Sequence, residues 1–318
     1  MNEKTISAWG AKRKKTWRKM KAHWMLYLFL LPATVYFILF HYYPLYGVQI
    51  AFQDYRVGDV FGTSAWVGFK HFKRFFESYW FTTVVWNTLK LSLLNLVLGF
   101  PLPIILALLL NEVEHERYKK LVQTITYAPH FISIVVLCGS LQLFLAPSTG
   151  IISIAVNAIR EWLGLESINL LASGKAFPWI YVLSGMWQGA GWGSVVYMAA
   201  LSGVDTQVQE AAMIDGASRI QRIWYVNIPV LVPTIVTMLI LQCGSLMSSS
   251  FDKVLLLQND GIRSASETIN TYVYRSGLIG AQFSFSSAVG LFNGVVNAAL
   301  LIFTNQITRW LSKENAMF

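Results

Sequence analysis

The chain has 318 residues, of which 55% are hydrophobic and 13% charged, with 12 Trp and 20 Phe. A soluble domain carries about a quarter charged residues, so this composition excludes an ordinary soluble enzyme and fits one polytopic membrane domain. The formal charge of +9 is concentrated ahead of the first apolar run, at Lys12, Arg13, Lys14, Lys15, Arg18, Lys19 and Lys21. Beside a membrane span such an arm is a topology signal held at an anionic leaflet, not a nucleic-acid site. Cys138 and Cys243 both lie in apolar runs and imply neither a disulfide nor a metal site.

Spans of about 20 apolar residues are expected in chain order. Residues 1–23 form the basic arm, and the first span covers about Trp24–Tyr43. No small-residue cleavage site follows it, and His41-Tyr42-Tyr43-Pro44 is bulky, so it reads as a retained span. Residues 44–81 form an outer connection in which Pro44–Gly47 and Trp66–Phe69 read as ordered turns. The core, 82–310, begins with a second span over about Thr82–Leu110, interrupted by Lys90 and kinked by Pro101 and Pro103. A short charged turn leads to a third span, about Leu121–Leu145. Pro147–Gly150 turns the chain, and Ile151–Trp162 reads as an amphipathic helix on the outer surface. The fourth span is Phe177–Leu201, with a glycine-rich stretch at Trp187–Gly193. A fifth, about Pro229–Ser250, is followed by an outer loop, 251–285, then a sixth, about Ser286–Thr308, and a tail, 311–318. The expected class is therefore all-α, a polytopic membrane protein with six transmembrane helices and both termini cytoplasmic. The predicted inside carries 15 Lys and Arg against 9 outside, but without the arm that bias vanishes, so orientation rests on the arm.

Residues 204–228 are polar between two charge-free spans. They read as two short helices with a hinge. Asp205 can cap the first, which places Val208, Ala211 and Ala212 on one face. Gly216 after Asp215 supplies the left-handed residue that ends it. Ser218 with Gln221 fits a capping box opening the second, whose apolar face is Ile220, Ile223 and Trp224. Pro229 can then be the first residue of the next helix. Adjacent small residues let another protein's backbone approach, and Glu210 offers a charge-assisted contact.

Glu210-Ala211-Ala212, then Asp215-Gly216-Ala217, then Ile228-Pro229 closely resembles the coupling loop of ABC importer permeases. The phrases around Pro44–Tyr55 and Thr124–Ser133 resemble the carbohydrate-uptake branch, as in maltose and alginate importers, and the likeness covers about residues 24–312. The resemblance implies a type I importer architecture in a bacterial cell membrane. It also implies a second homologous permease in a heterodimer, two cytoplasmic ATPase subunits docking at Glu210–Ala217, and an extracellular solute-binding protein. The sequence has no phosphate loop of the type G-x-x-x-x-G-K-[ST], so ATP and Mg would sit on the partner ATPase, with no cofactor on this chain.

A substrate path needs polar groups at membrane depth. Three clusters offer them: Trp187, Gln188, Gly189 and Trp192 in the fourth span; Gln242, Ser245, Ser248, Ser249 and Ser250 in or beside the fifth; Asn293 and Asn297, one turn apart, in the sixth. Uncharged amides and hydroxyls beside aromatic rings suit a neutral, hydroxyl-rich ligand such as a carbohydrate. The same residue types also serve as helix glue. His41 and His130, at span ends, read as interfacial. Permeation of a peptide or amino acid by the same mechanism, and an ion-coupled secondary carrier, are the alternatives; the latter would want intramembrane carboxylates and an internal repeat. Nothing catalytic supports a membrane enzyme.

Overall fold

A computed structural model describes residues 19–60, 62–248 and 250–311. The arm cations Lys12–Arg18, the path candidate Ser249 and the tail residue Lys313 lie outside the described residues. Among the described residues there is no strand, and an isolated antiparallel bridge pairs Gln53 with Trp66.

Three prolines explain how the long helices run. Proline lacks an N–H and pushes against the carbonyl four residues back, which usually breaks a helix. Here the preceding turn widens instead. Tyr43 N bonds Ile38 O, Phe100 N bonds Asn95 O and Ile228 N bonds Ile223 O, each in a π-turn immediately before Pro44, Pro101 or Pro229. The first helix, α1, therefore continues over Trp24–Phe52, past its expected end at Tyr43 and through the expected turn at Pro44. After α2, Lys70–Phe76, α3 runs over Trp80–Asn111 through the expected proline site.

The expected third span is broken. Helix α4, Glu116–Phe131, and α5, Ile134–Phe144, meet at 96°. Pro129 sits in a tight turn closing α4, Ile132 is extended, and Ser133 caps α5 by accepting from Val136 N at 3.3 Å. The amphipathic α6, Ile151–Trp162, and α7, Phe177–Leu201, have their expected limits. Next come α8, Thr206–Ile214, and α9, Arg219–Cys243. Pro229 thus lies inside α9 and does not start a new helix, and α9 stops short of Ser250. The expected outer loop is instead built of short helices with buried faces: α10, Phe251–Leu257; α11, Arg263–Ser266; and α12, Ile269–Tyr274. Helix α13, Phe283–Leu311, closes the fold.

Among the described residues four helices, α1, α3, α9 and α13, are long and apolar enough to cross a membrane, and the bent pair α4–α5 makes five if counted as one span. Helix α7 has 25 residues, about 37 Å of length, but glycine, serine and tryptophan dilute its apolar character.

Apolar burial gains little over lipid tails, so close packing and polar links hold such a bundle. Leu91, Cys138, Tyr181 and Val254 join α3, α5, α7 and α10. Phe75, Val84, Ile269 and Phe285 join α2, α3, α12 and α13. Ala107, Tyr197 and Leu231 join α3, α7 and α9. By contrast, every residue of α1 from Trp24 to Tyr46 is exposed.

Candidate functional site

The polar element between α7 and α9 is built by local caps. Asp205 accepts from Gln207 N at 2.9 Å and opens α8. Gly216, at φ +79°, ends the helix. Gly216 N bonds Met213 O, and Ala217 N reaches back to Ala212 O at 2.9 Å, the paired closure that a left-handed glycine permits. Ser218 and Gln221 form the expected capping box. Glu210, Ala211, Asp215 and Gly216 are exposed, while Ala212 and Ala217 are half-buried. Beside them Val208, Met213, Ile214, Ile220 and Trp224 all leave large apolar surfaces uncovered.

Four residues that sequence reasoning passed over brace this element against the end of α3. Glu112 Oε2 accepts from Arg222 at 3.2 Å, and Glu112 Oε1 accepts from Asn227 Nδ2 at 3.2 Å. Asn227 Oδ1 accepts from Gln209 at 2.6 Å. Asn227 is fully buried. Its pairing with Glu112 spans 115 positions, which no local spacing reveals. A further pair, Arg219–Glu114 at 2.8 Å, is exposed and contributes little.

The structure divides the path candidates into groups. Gly189, Gln242 and Ser245 share the wall of a cavity of about 490 Å³, with Asn95, Gly99 and Gly185. Trp187 lines a larger, mostly apolar groove of about 1190 Å³ between α5, α6 and α7, with Arg160 and Lys175 also in its wall. Gln188 donates to Ile132 O at 2.9 Å, holding the extended residue at the α4–α5 break. Trp192 stacks on His130, with centroids 4.8 Å apart and planes 5° from parallel. His130, expected at an interface, is thus packed against α7 beside that break. Asn297 accepts from Met247 N and donates to Ser248 Oγ, both at 2.9 Å, while Asn293 faces Asn270 at 3.5 Å.

The region 251–279 carries a buried charged network. Glu267 is fully buried; its Oε2 accepts from Arg275 at 2.6 Å and from Gln258 at 3.2 Å. Burial pushes the Glu267 carboxyl up, against the pull of Arg275. Asn87 of α3 donates to Ser264 O and Glu267 O, and Thr88 Oγ1 accepts from Ile269 N. These bonds fasten the region to α3.

Several membrane-crossing helices, a cavity between them and an exposed two-helix element together define a membrane transport component. Residues 99–315 match the family of binding-protein-dependent transport system inner membrane components, and the chain belongs to that family. It is 41% identical over 303 residues to the polygalacturonan/rhamnogalacturonan transport system permease protein YteP of Bacillus subtilis, covering 95% of this chain and 93% of that protein. It is 39% identical over 289 residues to protein LplB of the same organism, covering 91% and 90%. A chain from the crystal structure of a bacterial ABC transporter importing the acidic polysaccharide alginate superposes with TM-score 0.83 at 39% identity, covering 94% and 99%. A chain from such a transporter in complex with alginate pentasaccharide-bound periplasmic protein also gives 0.83, at 40% identity, covering 93% and 98%. The chain is thus a multi-pass membrane permease with the type I importer fold.

Proposed function

We propose that this chain is one permease half of an ATP-driven importer for acidic oligosaccharides, which an extracellular binding protein delivers. The relatives that handle polygalacturonan and alginate support this substrate class, in place of the neutral ligand that the uncharged path residues suggest. The observation that carries the mechanism is the braced, exposed element at 205–228. An ATPase subunit would seat Ala211, Ala212 and Met213 in a groove and pair with Glu210, while Gly216 lets α8 turn against α9. Rigid ties to Glu112 would pass its movement into α3 and α9, both of which line the cavity.

In this reading α7 is the fourth of six spans, both termini are cytoplasmic and the chain resides in a bacterial cell membrane. The long uncovered face of α1 would pack on a second, homologous permease. Two ATPase subunits carry ATP and Mg. Sugar would pass by Gly189, Gln242 and Ser245, with Trp187, Gln188, Trp192, Ser248, Ser249, Asn293 and Asn297 along or beside the route.

Affinity capture of the chain from mildly solubilised native membranes, followed by mass spectrometry, tests the assembly. An ATPase, a second permease and a solute-binding protein are expected. Recovery of the chain alone, from membranes whose uptake is intact, would overturn the proposal.

A further inference from the structure

Lys253 is a buried cation to which none of the roles above assigns a task. Its sequence position suggests an outer loop, yet it is 4% exposed. Its Nζ donates to Tyr181 O at 2.7 Å and lies 5.0 Å from the Tyr181 ring centroid. Both contacts are to neutral groups. Among the described residues Lys253 enters no ion pair, whereas Arg275, in the same region, is matched by Glu267. An ammonium has three N–H donors and is costly to bury without an opposite charge.

Helix α7 makes room for this charge. A Cβ at Gly185 would lie 3.2 Å from Lys253 Nζ, tighter than an ordinary contact. Gly185 also lines the 490 Å³ cavity, in company with Gly189, Gln242 and Ser245. Gly185 thus borders both the cavity and the ammonium, which itself lies outside the cavity wall.

We propose that Lys253 is a specificity-determining residue: acting across Gly185, its charge favours a carboxylate of the passing sugar, and the substrate supplies the missing counter-charge. The amides and hydroxyls of the same cavity would hold the sugar hydroxyls. This inference rests on the reading that an oligosaccharide traverses this cavity.

The test uses the whole assembly, with its binding protein and ATPases, in proteoliposomes. The probes are galacturonate and alginate trisaccharides and their fully methyl-esterified, uncharged counterparts. The readout is the ratio of acid uptake to ester uptake, compared between wild type and Lys253→Met. The binding protein's own preference is common to both and cancels. The ratio is expected to fall about tenfold or more, the worth of one unscreened charge pair a few ångströms apart. Gly185→Ala, which keeps the charge but crowds Nζ away from the wall, should lower the ratio in the same direction, and it serves where Lys253→Met does not assemble. Equal loss of acid and ester uptake, leaving the ratio unchanged, would make Lys253 a structural tie and overturn the assignment. Failure of the wild-type assembly to import any of the four sugars would overturn the oligosaccharide reading, and this inference with it.

Discussion

Glu112 and Asn227 are 115 positions apart in sequence, and their side chains meet at 3.2 Å where the end of α3 lies against the first turns of α9. The same carboxylate holds Arg222, and both members of that pair are about 15% exposed in their side chains. One acidic residue thus fixes the exposed element to two spans at once. Glu112→Ala leaves Arg222 and buried Asn227 without their acceptor, a loss of about 2–3 kcal/mol at this joint. Uptake in the reconstituted assembly is expected to fall about tenfold while ATP hydrolysis persists. Parallel assays of both activities check this; equal retention of the two would remove Glu112 from the coupling path.

Arg275 neutralises a carboxylate that has no access to solvent. Arg275→Met leaves Glu267 buried without its charge partner, at a cost of about 3–5 kcal/mol. The detergent-solubilised protein should melt well below wild type, and the double variant Glu267→Gln, Arg275→Met should recover much of that loss. A thermal unfolding series across the three proteins decides it.

Gly191 marks the closest approach of α7 to α4. A Cβ there would overlap the backbone of Thr126, and backbone cannot rotate away. Gly191→Val should therefore destabilise the chain by about 1–3 kcal/mol or more. At Gly189, two residues earlier, a Cβ meets nothing within 4 Å, and Gly189→Ala should leave folding unchanged. Yield and monodispersity of the two purified variants separate the cases.

His71 predicts a pH dependence in the segment 52–76 that follows α1. It is 5% exposed, and its Nε2 lies 3.1 Å from Gln53 O. Its Nδ1 is buried without a partner, so the neutral ring with hydrogen on Nε2 fits. Burial holds its pKa below the ordinary 6.5. The unfolded segment therefore takes up protons more readily than the folded one. The His71 contribution is complete above about pH 6.5 and is lost as pH falls through the lowered folded value. Hydrogen exchange over 52–76 should quicken between pH 7 and pH 5 after correction for the intrinsic rate, and His71→Gln should flatten that trend.

Local signals were the legible ones. Asp205, Gly216 and the Ser218–Gln221 box act within a few residues of themselves, and the structure builds α8 and the start of α9 on them. The limits of α6 and α7 follow for the same reason, from a change of pattern beside a turn or proline. The break at Ile132 was hidden because both flanks are apolar, so composition alone reads as one continuous span. Pro229 misled in the opposite sense: a proline that often starts a helix is carried here inside one by a π-turn. The pairings of Glu112 with Asn227, Asn87 with Glu267 and Lys253 with Tyr181 join residues far apart in sequence. Spacing rules do not reach that far, so Glu112, Glu267 and Lys253, which read as loop charges, are found packed against distant helices.

In the proposed mechanism ATP hydrolysis on a partner subunit drives uptake through Glu210 and the hinge at Gly216. The most direct measurement is uptake of a labelled uronate oligosaccharide by proteoliposomes holding the complete assembly, with and without ATP, for wild type and Glu210→Lys. Uptake should require ATP and fall about tenfold or more in the variant, the cost of reversing one charge-assisted contact, at equal insertion of the chain. Uptake that continues without ATP and collapses with an ion gradient, or that is unchanged by Glu210→Lys at matched expression, would contradict it.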